Sequence, residues 1–131
     1  MSDDEKNRTG PGALRCAQLV GQRAAQRGFD WDDYRGPLAK VYEEVAELEQ
    51  AIGDGEGPLR QGDELGDLLF SVVNLARHLE LDAEGALHGA IDKFERRFAQ
   101  VDKKVSRRHP PMEEMPIEAL EALWQESKAE E

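Results

Sequence analysis

Five carboxylates along two adjoining runs carry the chemistry most plainly written into this chain. Glu43, Glu44 and Glu47 stand in KVYEEVAELEQAI, and Glu64 and Asp67 stand in DELGDLLF. Residues three apart on a helix share a face, so Glu44 pairs with Glu47 and Glu64 with Asp67. Between the runs lies Gly53-Asp54-Gly55-Glu56-Gly57-Pro58, a break rich in turn residues. About its midpoint Glu47 is level with Glu64, and Glu44 with Asp67. A helical hairpin folded there brings the two pairs face to face. Converging carboxylates repel one another unless a cation lies between them, and an all-oxygen ligand set suits Mg2+ or Mn2+ rather than structural zinc. Such an ion polarises phosphoryl oxygens and lowers the pKa of a water, which is the equipment of phosphoryl or pyrophosphoryl chemistry.

The plainer alternative is a solvated helix face, because Glu favours helices and E-x-x-E pairs are common on surfaces. Two features count against it. Like charges in neighbouring turns are destabilising without a counterion. Asp67 also runs straight into Leu68-Leu69-Phe70, where full solvation is hard to maintain. Other chemistries lack their residues. His78, His88 and His109 complete no Glu-x-x-His pair of the di-iron bundle kind. Neither H-E-x-x-H nor a G-x-x-x-x-G-K-[ST] phosphate loop is present.

The elements that must position these carboxylates are helical throughout. Leu14, Ala17, Val20 and Ala24 form a stripe over about 12–28, with Gly28 as a stop. Phe29-Asp30-Trp31-Asp32-Asp33-Tyr34 is a turn whose aromatics either staple two helices or line a pocket. A second helix begins near Arg35-Gly36-Pro37, with Leu38, Val41, Val45, Leu48 and Ile52 as its core-facing stripe. The third, over about 59–79, is apolar around much of its girth, which asks for cover on more than one side and hence for a second subunit. Asp82 is a candidate N-cap for a long fourth helix reaching Arg108, with the stripe Leu87, Ile91, Phe94, Phe98, Val101 and Val105. His109-Pro110-Pro111 ends it, and a last helix over about 116–129 carries Ile117, Leu120, Leu123 and Trp124. The expectation is an all-α bundle of four to five helices, completed by homo-oligomerisation. Residues 1–11 are expected to be an unstructured tail, and 12–131 a single domain.

Charge narrows the partners. The net charge of −11 and pI near 4.7 argue against nucleic acid and anionic membranes alike. Basic residues nevertheless concentrate between Lys93 and Arg108, seven against two acidic, and could hold phosphate or simply line a solvated face. From Glu113 onward seven acidic residues stand against one basic. The single cysteine, Cys16, excludes an internal disulfide and reads as a small buried hydrophobe in a reducing compartment. With no long apolar run and no signal-like leader, the expected location is the cytoplasm.

Glu43-Glu44-x-x-Glu47, sixteen intervening residues and Glu64-x-x-Asp67 resemble the EExxE…ExxD signature of the all-α nucleoside triphosphate pyrophosphohydrolases. GFDWDDY, KVYEEVAELEQAI, DELGDLLFSVVNLARHL, KFERRF and the late Leu123-Trp124 resemble the MazG branch, over roughly residues 14–124. The resemblance implies hydrolysis of an NTP or dNTP to NMP and diphosphate with Mg2+, and Mn2+ as a substitute. It implies Glu44, Glu47, Glu64 and Asp67 as metal ligands. Glu43 either supports them from outside or orients a water as base. The segments from Lys40 to Glu43 and from Arg60 to Asp63 would lie along the nucleotide, although Arg60 stands where a lysine is often found. Lys93 and Arg97 match phosphate-binding positions, and Trp124 matches an aromatic at base or sugar, or else anchors its own helix. A dimer or dimer of dimers, working in nucleotide house-cleaning, is implied as well. Two alternatives stand beside this reading. One is a narrower dUTP/dCTP or phosphoribosyl-ATP pyrophosphohydrolase; the other is a non-catalytic nucleotide-binding module.

Overall fold

The structure, a computed structural model, describes residues 12–107 and 111–131. The expected tail over 1–11 and the stop at His109-Pro110 lie outside the described residues. Those residues form five α-helices and no strand: α1 (Ala13–Gln26), α2 (Arg35–Gly53), α3 (Pro58–His78), α4 (Ala83–Ser106) and α5 (Ile117–Ala129). A short 3-10 turn, Met112–Glu114, precedes α5. The chain is all-α, as its periodicities predict.

The first three helices end in the same way. After α2, the N–H of Glu56 donates to the Ala51 carbonyl and that of Gly55 to Ile52. After α1, Phe29 and Gly28 donate likewise to Ala24 and Ala25, and after α3, Leu81 and Glu80 to Ala76 and Arg77. This double closure puts one residue in the left-handed region, where glycine alone carries no steric penalty. Gly28 and Gly55 fill it with φ of 89° and 69°; Glu80 does so with φ of 58°. Pro58 then starts α3, its missing N–H costing nothing in a first turn. The turn–proline pair folds α2 back along α3.

The chain divides within α4 into two compact units, up to Ala86 and from Leu87 onward. In the first, α1 and α2 both pack on α3. The buried residues of α2 are Pro37, Glu44 and Ala51, spaced by seven; those of α3 include Glu64 and Ser71, also seven apart, with Val73. A seven-residue spacing keeps side chains on the line of contact between two wound helices. That line displaces the expected stripe of α2. Val45 and Ile52 stay exposed, and Leu38, Val41 and Leu48 are half-buried. On α3 a second stripe, Leu65, Leu69 and Val72, is also exposed. Cys16, expected inside, is exposed, and α1 has no fully buried residue.

The second unit is centred on Val101, Val105 and Leu123, with Met112, Met115, Leu120 and Trp124 packed around them. Only the C-terminal end of the expected α4 stripe is therefore covered. Leu87, Ile91, Phe94 and Phe98 are each more than two-fifths exposed. Each buried aliphatic contributes roughly 1.5–3 kcal/mol, so three of them make a small core.

Candidate metal centre

The α2–α3 contact line places carboxylates where aliphatic side chains would otherwise sit. Glu44 is 5 % exposed and Glu64 2 %. Oxygens of Glu44, Glu64 and Asp67 lie within 4.8 Å of one another, and so do oxygens of Glu43, Glu44 and Glu47. Glu44 belongs to both groups and joins them. Of the level correspondence expected about the loop, Glu44 does meet Asp67, whereas Glu47 groups with Glu43 and Glu44 rather than with Glu64. Glu44 and Glu64 lie on the contact line itself. Glu47 and Asp67 stand three residues further on, rotated by about 60° to its flank, and are exposed.

One oxygen on each buried acid, Glu44 Oε2 and Glu64 Oε2, has no hydrogen-bond partner. An ionised carboxylate withdrawn from water costs several kcal/mol unless compensated. Partial compensation comes from each end. The Lys40 ammonium lies 3.1 Å from Glu43 Oε1 and 3.4 Å from Glu44 Oε1. Glu43, and then Glu44, hold its pKa above the ordinary lysine value. Arg60 pairs with Glu64 Oε1 at 2.5 Å and with Glu56 at 3.6 Å. Five carboxylates against two cations leave an excess of three negative charges. Oxygen ligands only, two of their atoms buried and unsatisfied, fit a hard divalent cation such as Mg2+ or Mn2+.

The remaining residues singled out by sequence are distributed as follows. Asp63 is exposed on α3, next to Glu64. Lys93 and Arg97 lie on α4 in the second unit, Lys93 exposed and Arg97 half-buried. The Arg97 guanidinium is gripped by Glu131, with Nε and Nη2 each 3.0 Å from a carboxylate oxygen. Trp124 packs on Phe94 at 5.2 Å between centroids, with Arg97 5.8 Å from its ring centre, a contact between α4 and α5. Lys104 is paired with Glu126 and Glu130. Two residues of the basic run, Arg97 and Lys104, are thus paired with the acidic C-terminal segment.

A second polar cluster has no counterpart in the sequence reading. Asp30, in the turn between α1 and α2, takes both Nη atoms of Arg77 in a fork, at 3.0 and 2.6 Å. His78 Nε2 lies 2.7 Å from the same carboxylate, and the Trp31 backbone N–H donates to it at 2.8 Å. Arg77 above all, then His78 and the Trp31 N–H, hold the Asp30 pKa well below the usual carboxylate range. Arg77 also donates to Asn74 Oδ1 from Nε and Nη2. No local pattern signals a contact across 47 positions. Asp33, nearby, accepts from the Arg35 N–H at 2.8 Å and steadies the first turn of α2.

Comparison with known proteins bears on this arrangement. Residues 35–112 match the family described as the MazG nucleotide pyrophosphohydrolase domain. A Thermotoga maritima protein named nucleoside triphosphate pyrophosphohydrolase/pyrophosphatase MazG is 40 % identical over 116 residues, covering 88 % of this chain and 44 % of its own. An Escherichia coli (strain K12) protein named nucleoside triphosphate pyrophosphohydrolase is 43 % identical over 123 residues, covering 91 % and 46 %. An uncharacterized Bacillus subtilis protein, YabN, is 37 % identical over 68 residues, covering 52 % and 14 %. The chain therefore spans less than half the length of these relatives.

Proposed function

The chain belongs to the MazG nucleotide pyrophosphohydrolase family, and on that footing we propose that it hydrolyses nucleoside triphosphates between the α and β phosphorus atoms. The observation that carries this reading is the pair of buried, unpartnered oxygens on Glu44 and Glu64 within a cluster carrying excess negative charge. A structural helix contact gains nothing from such groups; a divalent-cation site requires them.

In this reading Glu44, Glu47, Glu64 and Asp67 hold Mg2+, with Mn2+ as a substitute. When bound, the ion neutralises the polyphosphate, polarises a phosphoryl oxygen and lowers the pKa of water. Glu43, exposed beside Glu44 and Glu47, orients a water and accepts its proton as the water oxygen bonds to the α phosphorus. The bond from that phosphorus to the bridging oxygen breaks, giving NMP and diphosphate. Lys40 and Arg60, already at the rim of the cluster, take phosphate charge as substrate enters. Lys93 and Arg97 of α4 match phosphate-binding positions of the family, and a guanidinium fork that holds a carboxylate holds a phosphate equally well.

The exposed stripes Val45/Ile52 and Leu65/Leu69/Val72 support a homo-oligomer, a dimer or dimer of dimers, since apolar side chains at helical spacing are rarely left to water. A house-cleaning role in the cytoplasm completes the proposal. Diphosphate and orthophosphate release should be measured from a panel of NTPs, dNTPs and deaminated or oxidised analogues, with Mg2+, Mn2+ or EDTA. Diphosphate with NMP, abolished by EDTA, is the expected result. Orthophosphate, or no turnover across the panel, refutes the proposed reaction.

A further inference from the structure

The two buried acids are held in the same way. Each has one oxygen without a partner, and its other oxygen faces a cation four residues earlier on the same helix. Lys40 lies 3.4 Å from Glu44 Oε1, and Arg60 lies 2.5 Å from Glu64 Oε1. Each cation also reaches a second carboxylate that stays in solvent. For Lys40 this is Glu43 at 3.1 Å, and for Arg60 it is Glu56 at 3.6 Å. Both cations therefore stand between one buried acid and one exposed acid.

The bonds to the buried acids are ones that can be given up. An acid four residues before a base is the stronger order on a helix, and Lys40–Glu44 and Arg60–Glu64 run in the reverse order. Arg60 also sits in the first turn of α3, where the helix dipole disfavours a cation. The Lys40 and Arg60 side chains are 42 % and 57 % exposed, so neither has a buried position to lose. Because the exposed acids are already in reach, release asks for side-chain rotation and no movement of either helix. The hold is needed while the buried acids stand alone, since a carboxylate withdrawn from water requires a counter-charge. A divalent cation at Glu44 and Glu64 removes that need.

We propose that Lys40 and Arg60 are exchangeable counter-cations, which hold Glu44 and Glu64 in the metal-free site and pass to Glu43 and Glu56 when a divalent cation takes the buried acids. The proposal rests on the metal site of the pyrophosphohydrolase reading and adds an order to it. Lys40 and Arg60 become available for polyphosphate charge only once the ion is in place, so ion and polyphosphate favour each other's entry.

The test combines titration of the full chain with Mn2+, followed by the paramagnetic resonance of the free ion, with melting in EDTA. Arg60→Gln removes the competitor for Glu64. It is expected to tighten Mn2+ about tenfold, equivalent to about 1.4 kcal/mol. It should also melt below wild type in EDTA and level with it in saturating Mn2+. Lys40→Gln, on the other helix, should act in the same direction. Glu56→Gln removes an exposed alternative, and should weaken Mn2+ about threefold in the presence of Arg60 and not at all in an Arg60→Gln background. A charge acting only through space weakens both backgrounds alike, and that result overturns the exchange. So does Mn2+ binding no tighter in Arg60→Gln and Lys40→Gln than in wild type. If wild type still releases diphosphate in Mg2+ while those affinities are unmoved, the reaction stands and the exchange alone falls. Wild type that binds no Mn2+ removes the metal site and the exchange together.

Discussion

Two charged regions of this molecule are built from similar residues and end in opposite states. Along the α2–α3 contact line, acids outnumber their cations and two carboxylate oxygens are buried with nothing to bind. In the second unit, Arg97 and Lys104 are matched by Glu131, Glu126 and Glu130 at 3.0–3.2 Å near the surface. The first arrangement is strained by charge and the second is satisfied. A run of like charge in a sequence is therefore a poor guide by itself; what separates a site from a solvated face is whether burial leaves the charge unmatched.

The largest effect should come from relieving that strain. Glu64→Gln removes a buried charge that Arg60 alone answers. It is expected to lower diphosphate release by at least about a hundredfold, since ligand loss exceeds the 10–100-fold typical of groups supporting a ligand. In EDTA the same variant should melt no lower than wild type, because an uncompensated buried charge has gone. Mg2+ at a hundred times its Kd should stabilise wild type by about 2.7 kcal/mol and leave Glu64→Gln unmoved. A wild-type melting curve indifferent to Mg2+ would break the contrast between the two regions.

A smaller effect is expected at Asp30, a satisfied cluster within the same unit as the strained one. Asp30→Asn should cost about 1–2 kcal/mol in denaturant unfolding at neutral pH. The sign with pH follows from a folded-state pKa held below the ordinary 3.8. That stabilisation is complete above the ordinary value and disappears as pH falls through the folded one, so wild type should lose stability below about pH 3.8 more steeply than Asp30→Asn. The smallest effect belongs to the second unit. Glu131→Gln should shift the melting temperature by no more than about 2 °C, as exposed ion pairs contribute little. A larger drop would show that this pairing, too, supports the fold.

The sequence made the helices and the acidic hairpin legible for local reasons. Turn residues, periodicity and the proline after Gly57 are all read within one or two helical turns. It was less reliable about which face each helix buries. Val45 and Ile52 looked like core because they are apolar, yet the seven-residue line through Pro37, Glu44 and Ala51 won the contact. A strong acid at a core position contradicts the rule used to find cores, and that contradiction marks the site. The Asp30–Arg77–His78 cluster was invisible because hydrogen bonds between distant turns leave no periodic trace. Trp124 was ambiguous between stacking a base and anchoring a helix, and its contact with Phe94 joins α4 and α5.

The spacing of Glu44 and Glu64 has a consequence for how this fold can vary. Both sit on positions that a plain helical pair would give to leucine, so the scaffold needs neither of them to close. On the proposed reading, two core positions of an otherwise ordinary helical pair were given over to chemistry, and the reverse exchange is as short. Leucine at both places should yield an inert but sturdier bundle, a sibling that retains the architecture while abandoning the trade.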